Sequence, residues 1–341
     1  MLKDPITPAA FAALSTKAQL CRVEQLARHA LPLYGLPPDS ALSLLNYSEN
    51  ATYLITPSAG PRRVLRINRP GYHPRHYIAT ELAWVQALRR DTAIITAEPI
   101  AGLDGELIQR IWHPAVPEPR NCVLMTFVPG REPDDANRLD SFALLGSVTA
   151  QLHQHATTWK PPHPIHREVW DFDAMLGPTP LWGHWTAGLG MTPAKKKRLS
   201  RLLPVLRRRV DQVGCGRSRF GLVHADLRAA NLLVHEGQVA VIDFDDCGHS
   251  WFIYDLAAAL SFIETHPDVP AYIDAWISGY TEIRRLSKSE ISAIPTFIML
   301  RRMLLVAWIG SHADTAQAQA MGPQFTTDTC ALADHYLSQF A

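Results

Sequence analysis

His224, Asp226 and Asn231 stand within eight residues, and Asp243 follows at the end of the apolar run Val239-Ala240-Val241-Ile242. An imidazole, a carboxylate, a carboxamide and a second carboxylate at this spacing suit Mg-nucleotide chemistry. Phosphoryl transfer needs one carboxylate to orient and deprotonate the attacking hydroxyl, and oxygen-bearing side chains to hold magnesium across the phosphates. Asp226 fits the first role, Asn231 and Asp243 the second. The plain alternative makes His224 and Asp226 turn caps and Asn231 a turn residue. It leaves two apolar flanks, 232–234 and 239–242, as a hairpin whose acidic ends have no purpose.

The spacing H-x-D-x-x-x-x-N matches the catalytic loop of the protein-kinase signature, and Asp243-Phe244 falls where that signature has D-F-G. The words His-Ala-Asp-Leu-Arg-Ala-Ala-Asn (224–231), Ile-Asp-Phe-Asp-Asp (242–246) and Tyr-Asp-Leu-Ala (254–257) resemble the aminoglycoside phosphotransferase and choline kinase-like family. The resemblance is nearest the branch of homoserine kinase type II and bacterial stress-response Ser/Thr kinases. It implies a two-lobed α+β protein-kinase-like fold, with a small antiparallel-sheet N-lobe and a larger helical C-lobe, and it implies ATP and Mg2+. Within it Asp226 is the catalytic base or orienter, and His224, Arg228 and Asp255 support the loop. Asp245, in place of the D-F-G glycine, adds a carboxylate to the metal shell or caps a turn; both remain open.

Other elements must position these groups. Residues 7–33 show helical spacing of Phe11, Leu14, Leu20, Val23, Leu26 and Ala27, which predicts a leading helical segment, 1–34. Strand-like runs follow at 41–47, 52–56 and 63–68. The turn Ser48-Glu49-Asn50-Ala51 occupies the place of a loop over the ATP phosphates, although it has no glycine. Arg66 takes the place of the family's phosphate-pairing lysine, since no lysine lies between Lys17 and Lys160. Period-two alternation turns Arg66 away from Leu65 and Ile67. A helix over 78–90 carries Glu81, which the resemblance makes the ion-pair partner of Arg66 and which reads equally as a first-turn acid that favours the helix dipole. Strands at 106–112 and 122–127 complete a five-stranded N-lobe, 35–128, and a hinge at 125–130 offers backbone at Met125, Thr126 and Phe127 to an adenine edge.

The C-lobe, 129–341, begins with an amphipathic helix over 140–155. His153 and His155 do not share a face of it, so a core-facing helix end with one packed histidine is preferred to a metal cluster. Tryptophans 159, 170, 182 and 185 mark an irregular aromatic segment. Later helices are expected at 271–280, 287–293, 297–312 and 328–340. Only 11 residues separate Asp243 from Asp255, without an A-P-E motif. A protein kinase needs a long activation segment here, so a small-molecule hydroxyl acceptor is favoured. A bacterial Ser/Thr protein kinase and a non-catalytic nucleotide-binding protein are the alternatives.

Composition agrees. The 341 residues are 47% apolar and 19% charged, with a net charge of +1, so nucleic acid is not an expected partner. The runs Lys195-Lys196-Lys197-Arg198 and Arg207-Arg208-Arg209 flank an apolar periodic segment and read as a solvated helix face. Cysteines 21, 122, 215, 247 and 330 contain no C-x-x-C, which argues against a disulfide framework or a zinc site. The start leads into no apolar segment, and Arg301-Arg302 interrupts the longest greasy stretch, so neither a signal peptide nor a membrane span is expected. A cytoplasmic enzyme follows, with a homodimer left open.

Overall fold

Thr7 and Ser15 decide how the N-terminus folds. Each is extended, and its hydroxyl accepts from the backbone N–H three residues on, Ala10 and Ala18, so each starts a helix. In the computed structural model, which describes residues 5–47, 50–133, 138–236 and 238–341, the predicted single segment is therefore two helices, α1 (Pro8–Ala12) and α2 (Thr16–Ala30). A 3-10 turn follows and closes on Gly35, whose φ of 68° is left-handed.

The chain divides into two units, and the first holds Met1–Arg90, Ile95–Pro129 and Pro161–His166. The leading helices thus belong with the sheet. Its strands are β1 (Ala41–Tyr47), β2 (Asn50–Thr56) and β3 (Arg63–Asn68); after α3 (Arg75–Asp91) and β4 (Ile95–Thr96) come β5 (Pro99–Ile100), β6 (Ile108–Ile111) and β7 (Arg120–Thr126). The antiparallel order is β1-β2-β3-β7-β5, with β6 also on β7. This is one strand more than the five expected, because β5 pairs only Pro99 with Met125 and Ile100 with Leu124. Two residues are too few to show alternation. Leu65 and Ile67 of β3 join Tyr53, Ile55 and Leu124 against Val23, Leu26 and Ala30 of α2. Val123, the register partner of Arg66, packs instead with Ile78 and Leu82 of α3, so alternation along β3 puts Arg66 on the α3 side.

The second unit holds Asp91–Ile94, Gly130–Lys160 and Arg167–Ala341. It contains α4 (Arg138–Thr158), α5 (Phe172–Leu176), α6 (Pro193–Ser200), α7 (Leu202–Val213), β8 (Phe220–Val223), the hairpin β9 (Leu232–His235) and β10 (Gln238–Val241), and β11 (Gly248–Trp251), which pairs with β8. Four helices complete it: α8 (Tyr254–Ala259), α9 (Val269–Thr281), α10 (Lys288–Ser311) and α11 (Ala316–Phe340). The helices expected at 287–293 and 297–312 are one element, because a capping box of Ser287 and Glu290 starts α10 and Pro295 sits inside it. Burial of Phe297, Leu300, Met303, Leu304 and Val306 on its faces outweighs the backbone bond lost at proline. By length and composition α10 could cross a membrane, but it is mostly buried inside the protein. The last helix starts earlier than residue 328 and bends at Gly322, where φ is 55°.

Helices α4 and α9 meet through Gly146 and Gly279, where a side chain would overlap the carbonyl oxygens of Trp276 and Ala143. Gly146→Ala gains helix propensity of about 1 kcal/mol, yet overpacking costs about 1–3 kcal/mol. We expect a net loss, seen as a lower thermal midpoint; a raised midpoint would show that the two helices can move apart freely.

Candidate active site

The loop from β8 to β9 is held by one buried carboxylate. Asp255, fully buried on α8, accepts from Ala225 N at 2.7 Å through Oδ1, and from His224 N at 3.1 Å through Oδ2. Ala225 has a φ of 67°, which costs an alanine about 1–2 kcal/mol; the bonds to Asp255 hold it there. Oδ2 also faces His153 Nε2 at 2.9 Å. An ionised carboxylate only accepts, so His153 carries its proton on Nε2. Its Nδ1 then accepts from Tyr280 Oη at 3.0 Å, and Arg284 Nη1 donates to Tyr280 at 2.7 Å. This is the packed histidine expected on α4, while His155 turns to Asp91. His224 Nε2 donates to Ile242 O at 3.1 Å, leaving Nδ1 to accept from Asp226 N at 3.3 Å.

Burial pushes the pKa of both His153 and His224 down, despite the nearby Asp255 carboxylate. Burial alone would raise Asp255, but His153, His224 and the Ala225 N–H outweigh it and hold the carboxyl below its ordinary value. The histidines are neutral in the fold, so the unfolded chain binds protons first as pH falls. Their stabilising effect is full above about pH 6.5 and is lost as pH drops through the folded values. We expect the unfolding free energy from urea titration, and with it the midpoint, to fall as pH drops below about 6.5, the free energy by up to about 1.4 kcal/mol per histidine per pH unit. A midpoint constant through that fall in pH would contradict the neutral assignment.

Both oxygens of Asp226 are engaged. Oδ2 accepts from Arg228 Nε at 3.1 Å and Asn231 Nδ2 at 3.0 Å, and Oδ1 from Arg301 Nη2 at 2.8 Å. Asp226 holds Arg228 above the usual arginine pKa. Arg301 comes from the middle of α10 and is 2% exposed; its Nε donates to Ser261 Oγ at 3.0 Å and its Nη1 to Tyr254 Oη at 2.9 Å. Burial works against its charge, but Tyr254 and Asp226 outweigh this and raise its pKa. In the sequence Arg301 stands only as an interruption of an apolar run. The missed signal was that a charge inside such a helix is rarely buried unpaired.

Asn231 Nδ2 also donates to Asp226 O at 2.7 Å, which leaves its carboxamide oxygen as a donor to a hard cation. Ile242 ties this residue to Asp243, because its N–H donates to Asn231 O at 3.0 Å while its own carbonyl holds His224. Asp243 is exposed and has a φ of 62°. Asp245 is buried, and its carbonyl accepts from Arg167, which also donates to Cys247 O. Trp170 Nε1 donates to Asp246 O at 2.9 Å, so part of the aromatic segment fixes the backbone after Asp243.

In the first unit Arg66 and Glu81 form the expected pair, bidentate at 2.8 and 2.7 Å and nearly sealed from solvent. Asn50 is buried, and its Oδ1 accepts from Asn68 Nδ2 at 3.2 Å and Arg69 N at 3.4 Å. This ties the start of β2 to the end of β3. Ser48 and Glu49 lie outside the described residues. Met125 pairs with Pro99, the Thr126 N–H donates to Glu98 O at 2.9 Å, and Arg62 lies 3.9 Å over the Phe127 ring. The Thr126 amide is therefore committed to the sheet.

Residues 44–288 match the phosphotransferase enzyme family. A solved structure of a microcompartment-associated aminopropanol kinase is 38% identical, covers 93% of this chain and 98% of its own, and superposes with a TM-score of 0.85. An amicoumacin kinase solved with AMP-PNP, Ca2+ and amicoumacin is 24% identical over 94% and 96% of the two chains, with a TM-score of 0.76. The amicoumacin kinase of Bacillus subtilis is 25% identical over 297 residues, 83% of each chain. With the protein-kinase-like fold shared with these structures, the chain belongs to the phosphotransferase enzyme family and is a kinase that transfers phosphate from ATP to a small-molecule hydroxyl.

Proposed function

We propose that the acceptor is a small amino alcohol and that Asp226 is the group that orients and deprotonates its hydroxyl. The observation that carries the catalytic part is the Asp226 carboxylate held at both oxygens on a loop braced by Asp255. The acceptor class rests on similarity to the aminopropanol kinase, which is 38% identical along nearly the whole chain. A loop fixed in this way has its orientation set before substrate arrives, which is where an enzyme gains most from positioning. The acceptor oxygen attacks the γ-phosphorus, the bond to the ADP oxygen breaks, and the hydroxyl proton passes to Asp226.

Asn231 and Asp243 would hold Mg2+, since a carboxamide oxygen and an exposed carboxylate are the hard donors that this cation takes. Bound there with the nucleotide, the ion neutralises charge on the phosphates. His224, Arg228 and Asp255 maintain the loop. Arg66, its fork held by Glu81, brings a fixed positive charge to the phosphates. The backbone at Met125 and Phe127 meets the adenine edge. Nucleotide binding belongs to 35–128, and acceptor binding with catalysis to 129–341. We place the enzyme in the cytoplasm, in line with its free cysteines.

The test is Mg-ATP-dependent ADP release with aminopropanol, ethanolamine, choline, homoserine, a sugar, an aminoglycoside and a protein acceptor in parallel. Stimulation by an amino alcohol above all others is expected. Stimulation confined to the aminoglycoside or the protein would overturn the acceptor class.

A further inference from the structure

Asp226 and the twin arginines Arg301 and Arg302 of α10 point to a division of labour within one helix turn. A carboxylate has about four acceptor positions. At Asp226 the two on Oδ2 are filled by Arg228 Nε and Asn231 Nδ2, while among the described residues Oδ1 holds Arg301 Nη2 alone. A hydroxyl donating to Asp226 therefore reaches Oδ1, the oxygen whose other position Arg301 occupies. We infer that Arg301 is a positioning residue that sets the direction in which Asp226 receives the acceptor hydroxyl. This rests on Asp226 acting as the acceptor's orienter.

Three further contacts fix the guanidinium. Ser261 holds Nε, Tyr254 holds Nη1, and the Trp182 ring centroid lies 5.2 Å from Cζ. All five donors of an arginine lie in one plane, so these contacts determine where Nη2 points. Arg302 spends its fork elsewhere, on Glu264 at 2.6 Å, Thr329 Oγ1 at 2.8 Å and Phe325 O at 3.2 Å, and it stacks on Phe325. It binds α10 to the segment after α8 and to α11 and has no bond to Asp226.

Arg301→Gln, Arg301→Lys, Tyr254→Phe and Arg302→Lys separate the roles, with five readouts: thermal midpoint, ATP affinity, acceptor kcat, acceptor KM and slow hydrolysis of ATP to water. For Arg301→Gln, acceptor kcat is expected to fall about 10²-fold, the size of a misplaced reacting group, while ATP affinity and hydrolysis to water persist. Arg301→Lys should recover part of kcat. Tyr254→Phe, which keeps Arg301 but frees Nη1, should lower acceptor kcat about fivefold, the worth of one hydrogen bond, again with ATP affinity kept. Arg302→Lys should lower the thermal midpoint and leave kcat near normal at low temperature. The inference is overturned if Tyr254→Phe leaves acceptor kcat unchanged, or if Arg301→Gln loses ATP affinity, hydrolysis and acceptor transfer together. Failure of the underlying assignment would show separately, as near-normal turnover of Asp226→Asn.

Discussion

Asp226→Asn is expected to lower acceptor phosphorylation by about 10²- to 10⁴-fold, the usual contribution of a positioned acid or base, with ATP affinity little changed. The substitution keeps the shape of the side chain but removes its charge. It also turns one acceptor oxygen into an NH2 donor, facing either Arg301 or Arg228 and Asn231, which are themselves donors. The loop backbone should survive, since it hangs on Asp255 and not on Asp226. Parallel measurement of kcat and of ATP affinity by titration checks this, and turnover within tenfold of the unaltered enzyme would remove Asp226 from the chemistry.

Asp255→Ala should cost stability as well as activity. The change strips the acceptor from three buried donors: the N–H groups of His224 and Ala225, and His153 Nε2. Each stranded donor costs about 1–3 kcal/mol, and a whole domain is stable by only about 5–15 kcal/mol. Ala225 also loses the bond that holds its left-handed conformation. Urea denaturation should show a loss of several kcal/mol, with turnover reduced even where the variant is folded. A variant within about 1 kcal/mol of the unaltered protein would mean that water replaces the carboxylate, as buried polar sites sometimes allow.

The loop between β8 and β9 and its brace were legible because they depend on short-range order. His224, Asp226 and Asn231 share one word, and Asp255 lies in the third, 24 residues on from Asn231. Arg66 and Glu81 were legible for a different reason: the resemblance supplies a strand cation with a helix carboxylate as its partner, and alternation along β3 turns Arg66 away from Leu65 and Ile67. Arg301 was not legible. It meets Asp226 across 75 residues, and the apolar neighbours that bury it also make it look like an interruption. The same blindness to context divided α10 at Pro295, where tertiary burial keeps a helix that local propensity would end. Thr7 and Ser15 carried their cap signal openly, but apolar spacing continued across them and concealed the break. At Asn50 the spacing placed a polar residue at the turn, whereas pairing with Asn68 draws its side chain into the hairpin.

The most direct test of the central claim is the identity of the phosphorus-containing product. Enzyme, Mg-ATP and aminopropanol followed by phosphorus NMR should give a phosphate monoester resonance growing in step with ADP, and growing at least about 10²-fold more slowly with Asp226→Asn. ADP accompanied only by inorganic phosphate, with every small amino alcohol supplied, would contradict an amino alcohol as the acceptor.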